Sequence, residues 1–126
     1  MKSYDLGSFA KAAGRLEEAL AMPFSDVIRD ACIQRFEFGF ELAWKAIQRA
    51  SRHQGRDCTS PRSCLREAFA MGWLTDEEAW LAMLADRNLT SHTYDEELAQ
   101  AVYSRLPQHL SLLQEELSRT LSGLEQ

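Results

Sequence analysis

Gln34-Arg35-Phe36-Glu37-Phe38-Gly39-Phe40-Glu41-Leu42-Ala43-Trp44-Lys45 can be read in two ways. Phe36, Phe38, Phe40 and Leu42 alternate with other residues, which by itself is the pattern of a strand. The flanks decide against it. Ile28, Cys32, Phe36, Phe40, Ala43, Trp44 and Ile47 recur in steps of three and four, so they form one continuous stripe of a helix. The predicted helix spans Asp26 to His53, with Ser25 as its N-cap. Ala31, Phe38 and Leu42 make a second apolar patch on the far side, and Asp30, Gln34, Glu37, Glu41 and Gln48 share the polar strip between the two. A helix that is apolar on two faces predicts contact with more than its own core, namely another helix or another subunit. Gly39 lies at the edge between the faces. It either lets a helix approach closely or is simply tolerated, at about 1 kcal/mol relative to alanine.

Outward from this helix, every apolar repeat is helical. Leu6, Phe9, Ala13, Leu16 and Leu20 predict a first helix over Leu6 to Ala21, ended by Pro23. Gly55 closes the second helix, and residues 55–60 read as a polar loop. Ser60 as N-cap and Pro61 as first helical residue open a short third helix to Met71, stopped by Gly72, with Trp73 and Leu74 burying the turn. Thr75 and Glu78 read as a capping box for a fourth helix through Trp80, Leu84 and Arg87. Thr93 and Glu96 read as another, for a fifth helix from Tyr94 or Asp95 towards Leu121. Pro107 falls inside that fifth pattern and predicts a kink or break near Leu106. The tail beyond Ser122 is expected to fray. The fold expected is all-α: an antiparallel four-helix bundle with the short third helix as connector, in one domain over residues 1–126.

Composition narrows the function. Net charge is −5, so bulk electrostatics do not attract naked nucleic acid. The charge is uneven. Residues 45–66 carry six basic groups (Lys45, Arg49, Arg52, Arg56, Arg62, Arg66) against one acid, Asp57, whereas residues 75–126 carry ten acids against three arginines. One end is thereby suited to phosphates or an acidic partner, the ordinary alternative being charged outer faces of amphipathic helices. Three cysteines, Cys32, Cys58 and Cys64, make no disulfide framework, and Cys58 and Cys64 lack zinc-ligand spacing. No signal peptide and no membrane-spanning apolar run is read, so a cytoplasmic location and no membrane partner are expected.

The chemistry concentrates in Asp86-Arg87-Asn88-Leu89-Thr90-Ser91-His92-Thr93-Tyr94. On a continuous helix Arg87 and His92 would point about 140° apart, because each residue advances about 100°. A bend at Thr90 to Thr93 would let Arg87, His92 and Tyr94 face one space. Arginine offers a planar fork for phosphate and histidine a proton donor or acceptor near neutral pH. Together they suffice for metal-free RNA cleavage through the 2′-hydroxyl. Tyr94 adds a phenol for stacking or for accepting a transferred group, and Asn88 can bond a base edge or a phosphate. The plainer alternative has Arg87 paired with Asp86 or Asp95, His92 capping a helix and the Tyr94 ring packed. Glu37 and Glu41, one turn apart, can bind a metal, tune a histidine or lie on a solvated face. No further ligands match them, so no metal and no cofactor is expected. The pair enters among the candidate substrate contacts with Asn88 and Tyr94.

The stretches Gln34 to Lys45 and Asp86 to Tyr94, with Ser60-Pro61-Arg62 and Arg66-Glu67-Ala68-Phe69 between them, resemble the nucleotidyltransferase substrate-binding family of the HEPN superfamily, related to HepT-type toxins. The resemblance covers about residues 6–118. It implies a helical homodimer and a separately encoded partner carrying a minimal nucleotidyltransferase domain. In the related toxins the residues matching Arg87 and His92 are the ribonuclease residues, and the tyrosine matching Tyr94 is where the partner attaches adenylate. The transferase's own glycine-rich motif and paired aspartates are absent here, so this chain is not expected to transfer nucleotides by itself. Two functions follow as expectations. One is a nucleotide- or substrate-binding subunit of a two-component, toxin–antitoxin-like system. The other is a metal-independent ribonuclease silenced by adenylation of Tyr94.

Overall fold

A computed structural model describes residues 5–125. Its centre is the helix over Asp26–His53, α2. The Ser25 hydroxyl accepts the Ile28 N–H at 3.1 Å and caps its first turn. Cys32, Phe36, Phe40, Ala43 and Ile47 are fully buried along it, so the helical stripe prevails over the strand-like alternation. A strand would have put Phe36, Phe38 and Phe40 on one face. Instead Phe38 is 63% exposed while its two neighbours are sealed. Each fully buried phenylalanine contributes about 1.5–3 kcal/mol over an exposed one, which is what turns α2 inward on that stripe.

Four further helices surround it: α1 (Leu6–Leu20), α3 (Pro61–Ala70), α4 (Glu77–Leu89) and α5 (Glu96–Ser111). α2 packs against α1, α3 and α5, and α4 lies against α5 and α3. The result is an all-α bundle with α3 as the link between α2 and α4, and no strand among the described residues. Gly55 and Gly72, both at φ 75°, make the left-handed turns that end α2 and α3. Ser60 caps α3 in a reciprocal box with Ser63, and Pro61 is its first residue. Trp73 and Leu74 are buried beneath the next turn.

Several local expectations are corrected. α4 is capped by Asp76, not Thr75: Asp76 Oδ1 accepts the Ala79 N–H at 3.0 Å. Thr75 is engaged elsewhere, its backbone N–H and hydroxyl both meeting the Glu116 carboxylate. α5 is capped by Asp95, which accepts from Glu97 and Leu98 N–H, not by Thr93. Thr93 belongs to the preceding turn and donates its hydroxyl to the Thr90 carbonyl. A carboxylate two residues nearer the helix displaces the hydroxyl because it is charged and can serve two orphan N–H groups at once.

Pro107 does not break the helix near Leu106. α5 runs through it to Ser111, with Pro107 on the solvent side. The helix then widens to π-type winding over Leu112–Ser118 and resumes as α6, Arg119–Glu125. Steps of four residues drift by about 40° each on an ordinary helix. The wider winding reduces that drift, and Leu113, Leu117 and Leu121 are all fully buried. Beyond Ser122, where fraying is expected, the winding is helical to Glu125, and Gln126 lies outside the described residues.

The cysteines are corrected too. Cys58 and Cys64 are joined, with Cα atoms 5.1 Å apart. The loop turns back at the Ser60 cap, and Gln48 holds the Cys58 carbonyl at 2.7 Å, which sets the two sulfurs of the disulfide together. Cys32 stays free and buried. The basic run is largely neutralised by acids: Lys45 by Glu41, Arg49 by Asp5, Arg52 by Asp57 and Arg56 by Glu67. A Cβ placed on Gly39 would meet nothing within 4 Å, so none of the described helices uses the glycine for close approach. Among the described residues no helix is long and apolar enough to cross a membrane.

Candidate functional site

The α4 helix stops at Leu89 and passes into one 3-10 turn, Thr90–His92. That turn is the bend expected from the sequence. Arg87, on the last turn of α4, reaches across to α2. Its Nη2 donates to Glu41 Oε2 at 2.9 Å, Nη1 to Asn88 Oδ1 at 3.2 Å, and the guanidinium carbon sits 5.9 Å from the centre of the Phe40 ring. Arg87 therefore pairs with neither Asp86 nor Asp95. Thr90 ties down the same turn from the other side. Its hydroxyl lies within bonding distance of the Glu37 carboxylate and the Arg87 carbonyl, and donates to one of them at a time.

Glu41 also lies 3.6 Å from Lys45. Partial burial alone would raise its pKa. The neighbouring Trp44 indole and the Arg87 guanidinium outweigh that, with Lys45 behind them, and hold the carboxyl below its ordinary range. The buried Trp44 Nε1 acts on the carboxylate from nearby without reaching full hydrogen-bond geometry.

An open groove of about 500 Å³ runs between the two helices. Gln34, Glu37, Phe38 and Glu41 line it from α2, and Arg87, Asn88, Thr90 and Ser91 from the end of α4. Four of the sequence-derived residues therefore meet here: Arg87, Asn88, Glu37 and Glu41. His92 and Tyr94 do not line this groove. They stand together outside it, ring centres 6.1 Å apart and edge to face, with Tyr94 85% exposed. Within one chain the three side chains of the Arg87–His92–Tyr94 set thus split into a groove arginine and an exposed His–Tyr pair. No cluster of potential metal ligands occurs among the described residues.

Sequence reading missed a second set just behind Arg87. The carboxylate of Asp86 is buried and takes a two-pronged bond from Arg105 and a 2.7 Å bond from His109. Burial alone would raise the Asp86 pKa, but the hydrogen bonds from Arg105 and His109 hold it below its ordinary value. The available signal was the four-residue spacing of Arg105 and His109 on one face of α5.

Comparison with known proteins bears on the family and the fold. The family model described as "Nucleotidyltransferase substrate binding protein like" matches residues 4–122. A Haemophilus influenzae protein named "Probable ribonuclease HepT" is 36% identical over 90 residues, which is 68% of this chain and 62% of that relative. The match thus spans less than two thirds of the relative's length. A crystal structure of a Thermus thermophilus protein superposes with TM-score 0.83 at 42% identity, covering 89% of this chain and 98% of its own. A Haemophilus influenzae structure, described as revealing the fold of a substrate binding domain of a nucleotidyltransferase, superposes with TM-score 0.81 at 30% identity, covering 94% and 99%. The chain belongs to the nucleotidyltransferase substrate binding protein-like family.

Proposed function

We propose that this chain is the nucleotide-holding subunit of a two-component system, working with a separately encoded minimal nucleotidyltransferase. The observation that carries it is the Arg87 guanidinium set in the wall of the groove, held there by one hydrogen bond to the Glu41 carboxylate and one to the Asn88 amide oxygen. A phosphate can take both prongs of the guanidinium at once, which the single-oxygen contact to Glu41 does not, and can exchange for that carboxylate. Asn88 beside it supplies an amide for a base edge or a second phosphate oxygen. Glu37 and Glu41 contribute acceptors for ribose hydroxyls. AMP is therefore the smallest probe of the groove. Titrated into the purified chain, it should bind with Arg87 present and lose about tenfold in affinity in Arg87→Ala. Equal binding by the two would remove the groove from consideration.

A second reading, a metal-independent ribonuclease, is favoured by the exposed His92–Tyr94 pair and by the relative named as a probable ribonuclease. Arg87 would hold the scissile phosphate and His92 would move the proton. One chain supplies a single Arg–His set, whereas cleavage gains from a base and an acid together. A homodimer supplies two, and the exposed Phe38 on the second apolar patch of α2 supports such a pairing. Expression with and without His92→Ala separates the two readings. Toxicity relieved by the substitution supports the nuclease, and harmless wild type supports the binding subunit. Mass spectrometry of the chain co-expressed with its genomic neighbour tests the partner. Any adenylate mass gain should vanish in Tyr94→Phe, and a gain that persists would exclude Tyr94 as sole acceptor.

A further inference from the structure

Asp86 precedes Arg87 by one residue and so points about 100° away from it, into the bundle rather than the groove. Both Asp86 and His109 are 3% exposed. Arg105 Nε donates to Asp86 Oδ2 and its Nη2 to Oδ1, both at 2.8 Å, and His109 Nε2 donates to Oδ2 at 2.7 Å. The imidazole is stacked on Phe36 of α2, ring centres 5.3 Å apart and 25° between planes. Its Nδ1 is buried without a partner.

Stability alone is a weak reason for such a trio. An apolar side chain at position 86 would fill the same space without the cost of desolvating charges. What the trio supplies is direction. Three hydrogen bonds into one carboxylate set the rotation and the height of the last turn of α4 against α5. On the opposite side of that turn, Arg87 and Thr90 meet Glu41 and Glu37 of α2. The backbone that carries the guanidinium is therefore gripped by two helices at once.

We infer that Asp86, held by Arg105 and His109, is a positioning residue that aims the Arg87 guanidinium across the groove. Its functional consequence rests on the reading of that groove as a phosphate site, whereas the aim itself does not. The test uses the ¹⁵N-labelled full chain and follows the Arg87 Nε–Hε signal, assigned by its loss in Arg87→Lys, with thermal unfolding and AMP titration alongside. His109→Phe keeps a ring against Phe36 and removes the donor. Arg105→Lys keeps the charge and removes the fork. His109→Gln returns an N–H towards Asp86. In the first two variants the Arg87 signal should shift and broaden while the chain stays folded, and AMP affinity should fall about tenfold. His109→Gln should restore most of both. Should either of the first two fail to fold, the other carries the measurement. An unchanged Arg87 signal beside a lowered unfolding temperature would reduce the trio to a fold-holding contact and overturn the inference. A signal that responds in a chain whose wild type ignores AMP would uphold the positioning and overturn only the phosphate reading.

Discussion

Arg87 shows how one side chain is shared between fold and function. It forms an ion pair with Glu41 at 2.9 Å, yet both partners are partly open to the groove. An exposed pair of this kind contributes little to stability, about 0–1 kcal/mol. Its larger effect is on ionisation. The Glu41 pKa is held down by Trp44, Arg87 and Lys45 against the pull of burial. Arg87→Ala should let it rise back towards the ordinary carboxylate value with little change in unfolding temperature. Carboxyl-carbon titration by NMR reads this directly, and an unmoved Glu41 would show that Arg87 is not its working partner.

At the scale of the element, the helix starts decide where the chemistry sits. Had Thr93 capped α5, its hydroxyl would have turned to the helix N–H groups and left the Thr90 carbonyl, and His92 would stand directly before the helix. Asp95 takes the cap instead, so Thr93 closes the end of the turn and braces Thr90. Asp95→Ala should cost about 1 kcal/mol and Thr93→Ala clearly less, as measured by urea unfolding. The same order should hold for Asp76 over Thr75 as the cap of α4. A larger loss at Thr93 than at Asp95 would restore the sequence-based assignment of the cap. The π-type stretch belongs to this scale as well. It keeps a run of leucines four apart on the core side, and it brings Glu116 to Thr75 and, at 3.2 Å, to the Trp80 indole.

For the whole molecule, pH and association are the informative variables. Burial depresses the His109 pKa below 6.5, although Asp86 pulls it upward and Arg105 pushes it down with burial. The folded chain thus binds fewer protons at this site than the unfolded chain. The stabilisation is complete above the unfolded value and shrinks as pH falls through 6.5 towards the folded one. Asp86, whose folded pKa lies below 3.8, loses its own contribution only at lower pH. Between pH 7.5 and 5 the wild type should therefore lose more stability than His109→Gln, which has no proton to gain there. Equal losses in urea unfolding would place the sensitivity elsewhere. Association is the second variable. If the Phe38 face pairs two chains, Phe38→Glu should give a folded monomer by light scattering, because a buried carboxylate on each side of the seam would be unpaired.

The sequence by itself determined the helices and their inward faces. Local rules govern those: a 3.6-residue period, capping side chains and glycines at left-handed turns act over a few residues. It also determined the family, through two separated stretches agreeing in order. Tertiary structure alone decided the partners. Nothing local to Arg87 names Glu41, which lies 46 residues away, and nothing near Asp86 names Arg105 and His109. At the start of α4 the hydroxyl that could compete for the cap, Thr75, is also claimed from afar, by Glu116. Hydrogen bonds and ion pairs are chosen by what packing brings within about 3 Å. That choice is made only after the helices have docked.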